Sequence, residues 1–213
     1  MAQDVDNIIQ GAAEIFLGDK GAAFPTMAAA TLPITGAGNL PAAGNYTSVG
    51  YTSEGLDITF EPDYLDVEVD QLLDSAALFK TSQRVTIATS FTEATLANLA
   101  FVLGQKANTV SGAFAVSGDV RKITINGGAL GSAPEERSFV AVGPSVREGS
   151  FASGTTKFAE RIYYNPRVIS VESVSTAVKR NEASVFPVTF RCLPDSTQTN
   201  SEYGKVVDRI YGT

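Results

Sequence analysis

The chain of 213 residues contains no histidine, no tryptophan, two methionines and one cysteine, Cys192. Without an imidazole no side chain changes charge near neutral pH at its ordinary pKa, so histidine-based catalysis is excluded, and so is a Cys-His metal site. A lone cysteine cannot build a disulfide framework. Cys192 alternates with Phe190 and Val188, and a thiol on an apolar strand face is a small hydrophobe with nothing beside it to activate it as a nucleophile. Nowhere do eighteen apolar residues follow one another, and Met1-Ala2-Gln3-Asp4 has no basic flank or long apolar run behind it. Both facts argue against a membrane span and against a signal peptide. These absences predict a protein that is not an enzyme and holds no metal or cofactor.

Bases are scarce in the first part of the chain. Residues 1–79 hold twelve acids against Lys20 alone, a net charge of -11, whereas residues 80–213 hold eleven acids and fifteen bases, a net of +4. The total of -7 argues against wrapping nucleic acid, which needs a basic surface. The uneven spread suggests surfaces of opposed sign. With 44% hydrophobic and 18% charged residues the composition is that of a globular protein, and the length fits one domain over residues 1–213.

The stretch from Leu56 to Gly104 organises the chain. Leu56, Ile58 and Phe60 alternate, Glu61-Pro62-Asp63 interrupts, and Leu65, Val67 and Val69 alternate again. Period two means strands with one face in a core. The opposite face of the second run carries Asp66, Glu68 and Asp70, each roughly 6.6 Å from the next at strand rise, with Glu61 and Asp63 beside it. Val85 and Ile87 give a third strand pattern. Ser90-Phe91-Thr92-Glu93 then reads as a capping box opening a helix over about residues 91–103. Leu96, Leu99 and Leu103 recur at helical spacing as its core face, and Gly104 stops it.

Elsewhere strand patterns prevail. Ala13 to Leu17 lies between Gly11 and Gly18, with a short helix as the rival reading. Phe114 and Val116 are followed by Val120, Ile123 and Ile125 ahead of an Asn126-Gly127-Gly128 hairpin turn. The Gly/Ser-rich residues 128–157 are interrupted by the apolar group Phe139-Val140-Ala141-Val142. Ile162 and Tyr164 precede Asn165-Pro166, Phe186 to Cys192 stops at Leu193-Pro194-Asp195, and Lys205 to Tyr211 adds a short edge strand. One helix among many strand patterns predicts a mainly β fold, an antiparallel β-sandwich or barrel with one packed α-helix. Residues 21–50 carry no charge yet contain Phe24, Met27, Leu32, Ile34, Leu40 and Tyr46. Such a stretch is poor material for a solvated linker and reads as a long loop that orders against a neighbouring molecule. Folding back on its own domain is the alternative.

The carboxylates are the main candidate site. They lack the Gly-bearing loop spacing of a calcium site, and nothing singles out a desolvated partner across a cleft, as glycoside hydrolysis requires. An ordinary solvated strand face and an acidic wall around a water-filled channel remain, and the wall needs other copies of the chain. Gly36-Ala37-Gly38 is followed by no helix start, so no phosphate-binding loop is formed.

The order of features resembles a known family. Ala13-Glu14-Ile15-Phe16-Leu17-Gly18, Gly50-Tyr51-Thr52-Ser53-Glu54-Gly55-Leu56, the acidic strand, Thr92-Glu93-Ala94-Thr95-Leu96-Ala97-Asn98-Leu99 and Val188-Thr189-Phe190-Arg191 are similar in order and phrasing to the major tail tube proteins of long-tailed bacteriophages. The resemblance implies a β-sandwich with a flanking helix, assembled as six-fold rings that stack into a hollow tube in the virion tail. It implies DNA passing through the lumen without specific binding, and tape measure protein filling the lumen beforehand. Tail terminator and distal tail proteins would be partners, synthesis would be in the bacterial cytoplasm, and no membrane would be entered. Residues 21–50 sit where the loop that locks ring to ring would be, and Glu61, Asp63, Asp66, Glu68 and Asp70 would line the lumen. A tube or adaptor of a contractile tail is the neighbouring alternative. A carbohydrate-binding β-sandwich or metal-dependent adhesin is the alternative from another class.

Overall fold

The structure, a computed structural model, describes residues 9, 11–25, 33–35, 40, 46–105, 110–111, 122–123, 125, 130–131, 134–146, 157–173, 175, 180–181 and 183–212. In chain order the elements are β1 (Glu14–Asp19), β2 (Tyr46–Ser48), β3 (Thr52–Val67), β4 (Ala77–Phe91), α1 (Leu96–Val102), β5 (Val110–Ser111), β6 (Lys122–Ile123), β7 (Arg137–Pro144), β8 (Lys157–Ser170), β9 (Phe186–Cys192) and β10 (Lys205–Gly212). Eight strands make one antiparallel sheet, ordered β2-β1-β7-β8-β9-β4-β3 with β10 added on β8, and β5 pairs with β6 apart from it. Among the described residues the sheet ends at β2 and β3. It is therefore open, consistent with a sandwich, and not closed into a barrel.

Both faces of the sheet's centre are buried, which single-faced alternation does not anticipate. β1 sends Ile15 and Leu17 into one core and Phe16 into another, and β7 likewise divides Phe139 and Ala141 from Val140 and Val142. The first core also gathers Val85, Ile87 and Phe91 from β4, and Phe186, Val188, Phe190 and Cys192 from β9. The second is closed by Ala22, Ile34, Leu40 and Tyr46, with Phe24 packed against it. These residues form a strap across the outer face of β1, β7 and β8. The Tyr46 and Tyr164 hydroxyls both donate to the Ala22 carbonyl, at 3.2 and 2.9 Å.

Two expected breaks lie inside strands. β3 continues through Glu61-Pro62-Asp63, where Pro62 is tolerated because β3 has no ladder on its outer side among the described residues. β8 continues through Asn165-Pro166. There its neighbour changes from β10, which stops at Tyr164, to β9, which starts at Val168. Its register against β7 shifts at the same place. This bulge turns Val168 into the first core although Ile162 and Tyr164 point into the second.

The helix is shorter than expected and buries a different face. Strand pairing holds β4 through Phe91, so the box at residues 90–93 does not cap α1. Thr95 is the N-cap and accepts from the Asn98 amide at 3.1 Å. Glu93 instead accepts from the Tyr51 amide at 3.0 Å. The buried residues are Asn98, Ala100, Phe101 and Val102, while Leu99 is half-buried against the first core and Leu96 and Leu103 are half-buried. The leucine spacing misleads because α1 is held by its C-terminal half and by Asn98, whose Nδ2 donates to the carbonyls of Val49 and Glu93, each at 2.8 Å. Gly104, at φ 62, does end the helix, with the Gly104 and Gln105 amides donating to Phe101 and Ala100 carbonyls.

Candidate assembly surface

β9 covers β4 only along Thr86–Phe91, so from Val85 outward β3 and β4 form a two-stranded arm with no third strand among the described residues. Ile58, Phe60 and Val85 share the arm's inner side, which faces Tyr163, Tyr203 and Val206 across a groove of about 290 Å3. Between Asp63 and Tyr64 the register shifts, leaving Thr81 opposite no residue. Beyond that bulge Leu65 faces Phe79 and Val67 faces Ala77, on the side that carries Glu61, Asp63, Ser82 and Arg84 nearer the body. Beyond the bulge both sides of the arm carry exposed apolar side chains, Leu65 and Phe79 on one and Tyr64 and Leu78 on the other. Leu65 and Phe79 are 57% and 60% exposed, and Leu73 at the tip is fully exposed.

The five candidate carboxylates are all exposed, but they do not share one strand face. Glu61 and Asp63 lie on the side of Leu65, opposite Arg84 and Ser82 in register, and the Ser82 hydroxyl donates to Asp63. Asp66 lies on the other side, across from Leu78. Glu68 and Asp70 stand beyond the last paired residue, Val67, in the turn that the Ala76 and Leu72 amides close on the Val67 and Val69 carbonyls. The expectation of Asp66, Glu68 and Asp70 in a single row is corrected by that early turn.

Of the six loop candidates, Ile34, Leu40 and Tyr46 are buried in their own chain's second core. Their apolar surface is already used within the chain. Phe24 is half-buried, edge-on to Tyr164 with ring centroids 5.3 Å apart, and the Lys205 Nζ sits 4.0 Å from its centroid. Met27 and Leu32 lie outside the described residues, as does the expected Asn126-Gly127-Gly128 turn.

The groove opens into a second one of about 520 Å3, lined by Ile9, Ala13, Leu56, Ile58, Tyr163 and Val206. Lys205 lies on the first groove's wall, and Lys80 stands 5.3 Å from the Phe60 ring centroid. The tips of the arm are acidic, and these bases lie beside its apolar root. Sequence patterning missed Tyr64, Leu72, Leu78 and Phe79 as surface residues, because alternation signals a buried face and carries no sign that the partner layer is lacking. Among the described residues no three or more Asp, Glu or Cys side chains are grouped to hold a metal ion, and no helix is long and apolar enough to cross a membrane.

Away from the arm the charges are paired for stability. The Glu136 carboxylate accepts from Arg167 at 2.7 and 2.8 Å and meets Lys20 at 3.0 Å. The Arg167 hydrogen bonds hold its pKa down at about 2. Arg161 makes a two-pronged bond to Asp208 at 2.6 and 2.7 Å. Burial pushes the Cys192 thiol up to about 12, so the thiol stays protonated and inert.

An open antiparallel β-sheet with an extended, partly apolar arm defines the class, a mainly β protein. The phage tail tube protein family matches residues 1–203, and the chain belongs to that family. It is a structural component of a phage virion tail. β10 lies beyond the matched span. Comparison with individual curated proteins finds no match.

Proposed function

We propose that this chain is the repeating subunit of a hollow tail tube, six copies to a ring and rings stacked end to end, through which DNA passes into the host. The observation that carries the reading is the sixteen-residue strand β3, whose outer ladder is unpaired among the described residues and whose arm exposes large apolar side chains. An edge so long and so apolar is an aggregation hazard unless an assembly covers it. Of the candidate carboxylates, Asp66 and the turn residues Glu68 and Asp70 face the bore in this reading, because Glu61 and Asp63 lie on the arm's opposite side. Carboxylates there repel phosphate and let DNA slide, the converse of a basic groove. Tape measure protein occupies the bore before ejection, tail terminator and distal tail proteins close the two ends, and the subunit is made in the bacterial cytoplasm. The loop over residues 21–50 joins successive rings, with Ile34, Leu40 and Tyr46 anchoring it to its own sheet. Stacking of this kind is heterologous and repeats without limit.

Electron microscopy of the purified full chain tests the reading, and hollow rings or tubes are the expected result. A protein that stays monomeric at high concentration would overturn it. Virions carrying Asp66→Lys, Glu68→Lys and Asp70→Lys together should assemble but deliver DNA poorly. Undiminished infection would remove the bore assignment.

A further inference from the structure

Leu65 and Phe79 stand opposite each other beyond the bulge, while Ile58, Phe60 and Val85 occupy the reverse side before it. The inner patch has a partial cover in its own body, since it shares a groove with Tyr163, Tyr203 and Val206. The outer patch faces away from that body. An isolated two-stranded ribbon is marginal in water, and both sides of this one carry exposed aromatic or aliphatic residues, Phe60 at 56% and Phe79 at 60% among them.

We propose that the arm beyond the bulge docks into the groove of a second copy, with Leu65 and Phe79 against that copy's Phe60 and Val206. The inference rests on the tube reading and names the contact within it. Charge complementarity selects the second copy as the occupant. On the docking side Glu61 and Asp63 precede Leu65, and residues 61–79 hold no base, whereas the groove is flanked by Lys80 and Lys205, neither paired with a carboxylate among the described residues. The two surfaces lie on opposite sides of the same ribbon. Each copy therefore offers its arm to one neighbour and its groove to another, a head-to-tail contact that closes into a ring where the rotation allows. Phe60 and Leu65 stand at even and odd positions of β3 and so project from opposite sides, and the bulge at Thr81 brings Phe79 into register with Leu65.

The test uses two full-length variants, one with Leu65→Glu and Phe79→Glu in the arm, the other with Phe60→Glu and Val206→Glu in the groove. All four residues are more than half exposed, and circular dichroism and thermal melting verify that each variant folds. Light scattering should show self-association at least tenfold weaker for each variant alone. Mixed together, they should form a discrete one-to-one pair, because one intact arm and one intact groove remain. Rings formed by either variant as readily as by wild type, or a mixture that stays monomeric while wild type forms rings, would overturn the docking and leave the tube reading standing. A wild-type chain that does not self-associate would overturn both.

Discussion

Glu160 on β8 and Arg209 on β10 stand directly opposite in register, with Oε1 and Nη1 2.6 Å apart and both side chains more than nine-tenths buried. Both Glu160 oxygens also accept from the Ile34 amide, at 3.2 and 3.1 Å. The carboxylate thus fastens the strap to the sheet from 126 residues away in sequence. Removing one partner of a buried ion pair costs roughly 3 to 5 kcal/mol. Glu160→Ala should lose about that in urea unfolding, and the Ile34 amide should exchange hydrogen faster. Replacing both partners by leucine should cost much less. An Ile34 amide as protected in Glu160→Ala as in the wild type would show that apolar contacts alone hold the strap.

Glu136 supplies a pH dependence whose sign is fixed by its depressed pKa. The folded value of about 2 lies below the ordinary 4.5, so the unfolded chain takes up a proton first as pH falls. The contribution is complete above pH 4.5 and is lost as the pH falls from there toward 2. Discounted for the partly exposed Arg167 and Lys20, it is on the order of 2 kcal/mol. Melting curves of Glu136→Gln should lie below wild type at neutral pH and converge with it near pH 2. Parallel curves throughout would mean that the pairing with Arg167 contributes nothing.

The helix offers a direct comparison of expected and observed cores. Phe101→Ala removes a buried ring that also stacks under the Arg137 guanidinium at 4.6 Å, and should cost about 3 to 5 kcal/mol. Leu96→Ala removes a half-buried side chain and should cost less than about 1 kcal/mol. Equal losses on thermal unfolding would restore the leucine face.

The strands were legible where alternation and turn residues agree, as at residues 14–19 and 186–192, because those side chains meet a partner layer on at least one face. The arm was half legible. Its alternating residues announced strands and the shift from Phe60 to Leu65, but the register slip at Thr81 and the lack of a covering layer are set by pairing, which no pattern within one strand reveals. Lack of charge in residues 21–50 points to a covered loop but does not tell a neighbouring molecule from the chain's own sheet. The strap's cover for Val140 and Ile162 is a contact over roughly a hundred residues of sequence, as is the Glu160 hydrogen bond to Ile34. Asn98 and Arg137 were invisible for a similar reason: polar residues look like surface until their buried carbonyl partners are known.

Cys192 should behave as a core residue throughout. Burial raises its thiol to about 12, so at pH 8 almost no thiolate exists and the side chain is 2% exposed. Alkylation by iodoacetamide should be at least a hundredfold slower in the native protein than in denaturant. Labelling at the denatured rate without loss of structure would place the thiol outside the first core.

Gly204 separates close approach from backbone strain. It sits at φ +121 where the chain enters β10, and a Cβ added there would lie 2.0 Å from the Tyr164 carbonyl oxygen. The same turn is tied down by Asn165 Nδ2 donating to the Tyr203 carbonyl at 2.6 Å. Gly21 also has positive φ, +75, but a Cβ there meets nothing within 4 Å. Gly21→Ala should therefore cost only the left-handed backbone penalty, about 1 kcal/mol. Gly204→Ala must also push β10 off β8, and should cost at least about 2 kcal/mol more, with exchange rising along residues 205–212. If the two substitutions lower the melting temperature equally, conformational freedom is all that glycine supplies at residue 204, and the tight crossing of β8 and β10 is not what requires it.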